Sequence, residues 1–195
     1  MFSYAETMST EIYSHIELMN LKLEPKYLRL ENSRNRLLDE LEGLDEVLLN
    51  TPAPGGKWSL NQHVAHLILV DKVTMGYVQH KLKKKEELPS SSFSNQFKSF
   101  LLKLALQSGR KFKAPAPVAT VPDTALLSEL RKEWDDVRFT LEDVLTDTPD
   151  ELLDKCLFKH PAAGPLTLPQ TLTFLQDHFD HHLRIIQQLK QQLIA

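Results

Sequence analysis

The chain has 195 residues, of which 42% are hydrophobic and 25% charged, and its net charge is −3. This composition is typical of one globular domain that is long enough to bury a core. It excludes a strongly basic nucleic-acid-binding surface, because the concentrated lysines Lys81 and Lys83–Lys85 are better explained as a solvated helix end.

The first residues and the cysteine content predict that the protein is located in the cytoplasm. The opening "MFSYAETMSTE" has acidic residues where a signal peptide needs an apolar run. No window approaches the roughly 18 apolar residues of a membrane span. The single cysteine, Cys156, excludes an internal disulfide. We therefore expect a cytoplasmic protein without membrane or nucleic-acid partners.

The periodicity predicts helices separated by proline-bearing connections. A short first helix is expected over about residues 6–20, within an N-terminal extension of residues 1–24. Pro25 fits the first turn of a longer helix, in which Arg34 interrupts an apolar stripe with the spacing of bundle helices. That stripe consists of Leu30, Leu37, Leu41, Leu44 and Leu48.

The second long helix is expected after the breaker "NTPAPGGKW" of residues 50–58. Ser59 can cap it by accepting a hydrogen bond from a free backbone N–H, and its periodicity extends to about Lys84. One stripe of this helix contains His63, His66, Val70, Val73, Tyr77 and His80. A neighbouring stripe contains Leu60, Val64, Leu67 and Val78. The buried face is therefore expected to be broad.

A long connection follows over residues 89–122. Residues 93–107 are amphipathic and predict a short helix, whereas "KAPAPVATVP" (113–122), with three prolines, predicts an extended segment. A connection of this length can cross the end of a bundle, because antiparallel neighbours need only short loops.

The third long helix is expected to begin near Asp123, which can cap it, and to be closed by Pro149. "HPAAGPLTLP" (160–169) is a turn-rich lead into a last helix from Leu168 to about Leu193. The pattern predicts an all-α four-helix bundle in a single domain of residues 1–195, with a long crossover between the second and third helices and short extra helices. The apolar stripe of the third helix is Leu127, Leu130, Trp134, Val137, Leu141 and Val144.

The last helix places two histidines where apolar residues belong. Side chains at i and i+4 project from neighbouring turns of one face, so His178 and His182 could bind one metal ion, as in zinc metalloproteases. His181 lies on the flank. The alternative is a metal-free, hydrogen-bonded core network. The full stripe reads Leu175, His178, His182, Ile185 and Leu189.

A third ligand would have to come from another helix. His66 on the second long helix is the natural candidate, and His63, one turn earlier, is the rival. Three neutral imidazole nitrogens suit Zn²⁺, Ni²⁺, Cu²⁺ or Fe²⁺ better than Mg²⁺ or Ca²⁺. Three protein ligands leave a fourth position open for water or substrate, which is the catalytic rather than the structural pattern.

These motifs, in this order, resemble those of the DinB-like family of metal-dependent four-helix-bundle proteins. "WSLNQHVAHL" (58–67) is similar to the family's Trp-Ser pair followed, eight residues after the tryptophan, by His-Leu. "HFDHHLRII" (178–186) is similar to its closing histidine and His-His pair. "HPAAGPLTL" (160–168) and "GRKFKAPAP" (109–117) resemble its lead-in to the last helix and its crossing connection.

The resemblance implies a three-histidine site, often assigned nickel or zinc, and a homodimer. By position the first ligand maps onto His66, which makes His63 a neighbour. The other two ligands map onto His178 and His182, while His181 matches a histidine that is usually not a ligand.

The resemblance also implies metal-dependent thiol transfer or hydrolysis of a small electrophile. The metal would lower the pKa of a bound water or low-molecular-weight thiol, which would then attack. Asp71, Asp177 and His181 are candidates for orienting ligands or moving protons, although an ordinary helix-surface or capping role is favoured for the two aspartates. The alternatives are a non-catalytic metal-binding or stress-response protein with a structural or sensory metal, and an empty site.

Four further residues with reactive or aromatic side chains are not expected to take part in chemistry. Cys156 lies near His160 in the chain, but "DKCLFKH" (154–160) is better interpreted as a short edge or turn segment, and a reactive thiol would need a lowered pKa. Trp58 is interpreted as a core plug rather than a substrate platform, and Tyr77 and His80 as packing at the end of the bundle.

Overall fold

The structure, a computed structural model, describes residues 19–83, 88–90 and 116–194. The helices expected over residues 6–20 and 93–107 lie outside these ranges, except for residues 19 and 20, which are not helical. In chain order the elements are α1 (Glu24–Glu42), α2 (Glu46–Asn50), α3 (Leu60–Lys83), α4 (Ala116–Ala119), α5 (Leu127–Asp147), a 3₁₀ turn (Asp150–Leu152), β1 (Cys156–His160), β2 (Gly164–Thr167) and α6 (Leu168–Ile194).

The four long helices α1, α3, α5 and α6 form a four-helix bundle, which confirms the predicted fold class. Helix α1 packs against α5 and α6, and α3 packs against the same two helices. Helices α1 and α3, although consecutive long helices in the chain, are therefore diagonal in the bundle. No described helix carries an apolar stretch of the kind that a bilayer crossing needs.

Helices α3 and α5 run parallel, and this explains the long crossover between them. Near the start of both helices, the Asn61 amide donates a hydrogen bond to the Ala125 carbonyl at 2.8 Å. Farther along both, Lys72 and Glu133 form an ion pair at 3.0 Å. Parallel neighbours require the chain to return to the end from which it started, whereas an antiparallel pair needs only a short loop.

Helix α3 begins where the sequence predicted. The Ser59 hydroxyl accepts a hydrogen bond from the Gln62 N–H at 3.2 Å, and the Gln62 side-chain oxygen accepts one from the Ser59 N–H at 3.0 Å. This reciprocal capping box satisfies two N–H groups at the helix start. The preceding turn contains Gly55 and Gly56, whose φ angles of 81° and 67° suit glycine. The capping box and this turn fix the start of α3, so that His66 lies on its second turn.

The expectation of one continuous helix through Leu48 is wrong. Helix α1 ends before Gly43, and α2 begins after Asp45, whose side chain accepts a hydrogen bond from the Val47 N–H at 2.8 Å. An aspartate that binds a nearby backbone N–H favours a helix start over a helix interior. The new start changes the buried face, so Leu49 rather than Leu48 is buried.

Two expectations for the segment before the third long helix are also wrong. The stretch 113–122, expected to be extended, contains the short helix α4. Helix α5 begins at Leu127 rather than near Asp123, because the Glu46 carboxylate of α2 accepts a hydrogen bond from the Leu127 N–H at 3.0 Å. A side chain from a distant helix thus supplies what a local cap was expected to supply.

A two-stranded antiparallel hairpin, β1–β2, precedes α6 where a turn-rich lead was expected. Gly164 has a φ of 78° and pairs with His160. The side chains of Leu157 and Leu166 are fully buried in the bundle core. The hairpin therefore belongs to the core, and it covers the side of the bundle formed by α3 and α6.

A layer of buried charges separates two apolar clusters of the core. Arg138 pairs with Asp71 at 2.9 Å and with Glu31 at 3.5 Å, and Arg34 pairs with Glu31 at 3.0 Å. The Trp134 indole N–H donates to Asp71 at 2.8 Å. Asp71 is only 5% exposed, so its interpretation as a helix-surface or capping carboxylate is wrong.

Candidate metal centre

Helices α3 and α6 run antiparallel and place histidines opposite one another. On α6, His178 and His182 are one turn apart, with ring centroids at 4.7 Å. His66 of α3 lies across from both, with ring centroids at 5.2 Å from His178 and 4.7 Å from His182. One ligand nitrogen of each residue lies within 4.8 Å of the other two. We call these three residues the histidine cluster.

The spacing of the nitrogens fits a transition metal. The Nε2 atoms of His66 and His178 are 3.4 Å apart. Two nitrogens that bind one tetrahedral ion at about 2.0–2.1 Å would lie roughly 3.4 Å apart. Three imidazole nitrogens also form a donor set that suits divalent first-row metals. The residues present therefore fit a divalent metal.

His66 is oriented by the backbone of α4. Its Nδ1 lies 2.8 Å from the Val118 carbonyl oxygen, which can only accept. The ring must therefore carry its proton on Nδ1 and donate it to Val118, which leaves the Nε2 lone pair facing His178. Metal-binding histidines commonly use a second hydrogen bond in this way to fix tautomer and orientation.

Burial keeps these histidines neutral. It lowers the pKa of His178 to about 3, with His66 as a further cause, and the pKa of His63 to about 4. It also lowers the pKa of His66, and that of His182, where His178 adds to the effect. Since metal binding requires neutral imidazole, the cluster can take up a metal at neutral pH without first losing protons.

His63 and His181 adjoin the histidine cluster but lie outside it. The Nδ1 atoms of His63 and His182 are 3.1 Å apart. The ring of His181, which is half-buried, meets that of His182 nearly edge-on, with centroids at 5.3 Å. The structure thus brings His66, His178 and His182 together and leaves the other two as neighbours.

The two aspartates considered for this site are not surface groups. Asp71 binds Trp134 and Arg138 in the charged layer. Asp177, next to His178 in the chain, is 8% exposed, which contradicts its interpretation as a surface or capping carboxylate.

Trp58 packs directly on the histidines. Its ring centroid is 4.9 Å from that of His66 and 5.4 Å from that of His63, and the residue is half-buried. It is therefore part of the wall of the cluster rather than a plug of the apolar core. The sequence shows a tryptophan before a cap, but it does not show that the ring contacts His66 and His63.

His160 of the hairpin is a neighbour that the sequence identified only as part of a lead-in motif. Its Nδ1 accepts hydrogen bonds from the N–H groups of Ala162 and Ala163, at 3.1 and 3.0 Å. Its neutral ring therefore carries the proton on Nε2, and burial lowers its pKa to about 4. Its ring lies 4.6 Å from that of Phe174, which is 5.8 Å from that of His178.

Known proteins are similar to this chain in sequence. Residues 29–186 match a family described as the DinB superfamily. A Bacillus mycoides protein, provisionally named a metal-dependent hydrolase, is 26% identical over 192 residues, which cover 98% of this chain and 93% of that protein. A Bacillus cereus protein with the same provisional name is 29% identical over 164 residues, 84% of this chain and 83% of that protein. The uncharacterized protein YuaE of Bacillus subtilis is 25% identical over 155 residues, 80% of this chain and 91% of YuaE.

A solved structure shares the fold. YfiT from Bacillus subtilis is described as a probable metal-dependent hydrolase with an unusual four-helix bundle topology. It matches 88% of this chain and 87% of its own, with a TM-score of 0.57 and 20% sequence identity. At 20% identity, this similarity shows a shared fold only.

Proposed function

The chain belongs to the DinB superfamily, and from this premise we propose that it is a metal-dependent enzyme, a hydrolase or thiol transferase that acts on a small electrophile. The observation that carries the proposal is the histidine cluster, in which three neutral ring nitrogens converge within 4.8 Å. Three protein ligands leave part of a metal's coordination sphere to water or substrate, which is typical of catalytic sites.

In this proposal His66, His178 and His182 hold the metal, with zinc or nickel as the expected ion. The bound ion would act as a Lewis acid and lower the pKa of a water or thiol. The chain's own residues orient the ligands and limit access. The Val118 carbonyl fixes the ring of His66, and the ring of Trp58 covers one side of it.

The expected partners follow from the same chemistry. A small-molecule substrate, with a low-molecular-weight thiol as the second reactant in the transferase case, would reach the open side of the metal. We also propose a cytoplasmic homodimer, as expected from the cysteine content and the family resemblance. The names of the Bacillus relatives favour hydrolysis as the first reaction to test.

A second candidate is a structural or sensory metal. It is favoured by the position of Asp71, because its carboxylate binds Arg138 and Trp134 instead of serving as a base beside the cluster. In that case metal removal should lower the melting temperature, and no thiol should enter the coordination sphere. A change in the visible spectrum of cobalt-substituted protein on adding a thiol would count against this candidate.

Turnover tests the enzymatic proposal. Metal-loaded protein is screened for ester and amide hydrolysis, and for transfer of glutathione, bacillithiol and mycothiol to small electrophiles. We expect the His66→Ala/His178→Ala/His182→Ala variant to lose the activity found. His80→Ala is the matched control, because His80 is an exposed histidine of the same helix as His66. Undiminished turnover by the triple variant would rule out the mechanism.

A further inference from the structure

His63 and His182 form a buried histidine pair beside the cluster. Their Nδ1 atoms are 3.1 Å apart, and both residues are 8% exposed. The rings of Trp58 and His63 make a T-shaped contact at an interplanar angle of 75°. His63 is therefore held between a tryptophan and a candidate metal ligand.

A contact of this length between two neutral rings requires one proton between the two nitrogens. Either His182 donates from Nδ1 and His63 accepts, or His63 donates and His182 accepts. This choice determines whether the Nε2 atom of each ring is protonated, because a neutral imidazole carries its one proton on one nitrogen only. If His182 donates, its Nε2 has a free lone pair. If His63 donates, the Nε2 of His182 carries the proton.

The nitrogen of His182 that remains for a metal is Nε2, since Nδ1 is engaged by His63. A metal at Nε2 therefore requires His182 to donate from Nδ1, and His63 to accept with its own proton on Nε2. The same arrangement holds at His66, whose Nδ1–H donates to the Val118 carbonyl and whose Nε2 stays free. His63 would accept the Nδ1–H hydrogen bond of His182, as the Val118 carbonyl accepts that of His66.

We propose that His63 is a positioning residue that holds His182 in the Nδ1–H tautomer and so directs its Nε2 to the metal. This inference rests on the proposed function, because it assumes that the cluster binds a metal. It assigns His63 a role in binding without making it a ligand, since its nitrogens lie outside the group that converges. Hydrogen bonds of this kind typically change metal affinity by about 10–100-fold when removed.

Two substitutions of nearly equal shape separate the hydrogen bond from packing. In His63→Asn the side-chain oxygen stands close to the position of Nδ1 and can accept from His182. In His63→Leu the side chain has the same branching and no lone pair. The metal affinity of each is measured by competition with a chelator, for zinc and for cobalt. The melting temperature of each metal-free variant reports any loss of folding.

We expect His63→Leu to bind zinc about 10–100-fold more weakly than the wild type and His63→Asn to stay close to it. In zinc-loaded wild type, nitrogen-15 NMR should show His182 protonated at Nδ1 and metal-bound at Nε2. Equal affinities of the two variants, or zinc at Nδ1 of His182, would overturn the role of His63 and leave the proposed function intact. Absence of metal binding by the wild type would contradict both the role of His63 and the proposed function.

Discussion

The three candidate ligands differ in what holds their rings. His66 is held by a backbone carbonyl, and His182 contacts the ring of His63. The ring of His178 packs on that of Phe174, one turn earlier on the same helix. The i and i+4 spacing of His178 and His182 could be predicted because one helix determines both positions. The contacts of Val118 and His63 could not, since they depend on how separate segments pack.

The buried histidines make stability depend on pH. Burial lowers the pKa of His178 to about 3, whereas an unfolded histidine titrates near about 6.5. Between these values the unfolded chain binds a proton that the folded chain does not, so the free energy of unfolding falls as pH falls. Each such histidine contributes a slope of up to about 1.4 kcal/mol per pH unit in that window.

We therefore expect metal-free protein to lose stability progressively below about pH 6.5. Urea denaturation across this range measures the slope, and His178→Asn serves as the comparison because it removes one of the titrating groups. The variant should show a shallower dependence. Burial raises the pKa of Glu31, which acts in the opposite direction, but its contribution is common to both proteins and cancels. Equal slopes would show that His178 is not held neutral.

The charged layer predicts a large effect from a single substitution. Arg138→Met leaves the buried Asp71 carboxylate without its cationic partner and removes one of the two arginines that pair with Glu31. An uncompensated buried charge of this kind should destabilise the protein by about 3–5 kcal/mol. The control is Lys72→Met, which removes the exposed ion pair with Glu133 between the same two helices and should cost at most about 1 kcal/mol. Similar denaturation midpoints for both variants would contradict this explanation.

At the scale of the elements, contacts between residues close in the chain could be predicted, whereas contacts between residues far apart in the chain could not. The cap of α3 could be predicted because Ser59 and Gln62 are three residues apart. The start of α5 could not, since its first N–H binds Glu46, which is 81 residues earlier. A short edge or turn segment around Cys156 was predictable, and β1 lies there. Its pairing with β2 was not, because the short strands lack a clear alternation and pack on the bundle.

The cap of α3 links helix stability to the site. Ser59→Ala removes the acceptor for the Gln62 N–H and should cost about 0.5–2 kcal/mol. Because His66 stands on the second turn of this helix, we also expect a weaker affinity for zinc. Thermal denaturation and chelator competition measure the two effects. Ser59→Thr, which keeps a neutral hydroxyl acceptor at this buried position, should restore both. Its failure to do so would show that the cap does not support the site.

At the scale of the whole molecule, the parallel pairing of α3 and α5 makes the long crossover part of the site. Helix α4, which precedes α5 in the chain, places the Val118 carbonyl against His66. The bundle and its crossover were predictable from helix count and connection length. That the returning segment contacts a candidate ligand was not, because backbone carbonyls have no sequence signature.

The candidate ligands come from two helices, so a metal should stabilise the whole fold. An ion that binds the folded chain and not the unfolded chain adds about 2.7 kcal/mol at a free concentration a hundred times its Kd. We expect zinc to raise the melting temperature of the wild type and to leave that of the His66→Ala/His178→Ala/His182→Ala variant unchanged. An equal rise in both proteins would place the bound ion elsewhere.

The most direct test of the histidine cluster as a metal centre is elemental analysis of untagged protein prepared without nickel resin. The predicted result is about one equivalent of a divalent transition metal per chain, as expected for a three-nitrogen site. The triple-alanine variant, prepared in the same way, should contain none. A wild-type protein without metal, or a variant that retains the wild-type amount, would contradict the assignment of His66, His178 and His182 as metal ligands.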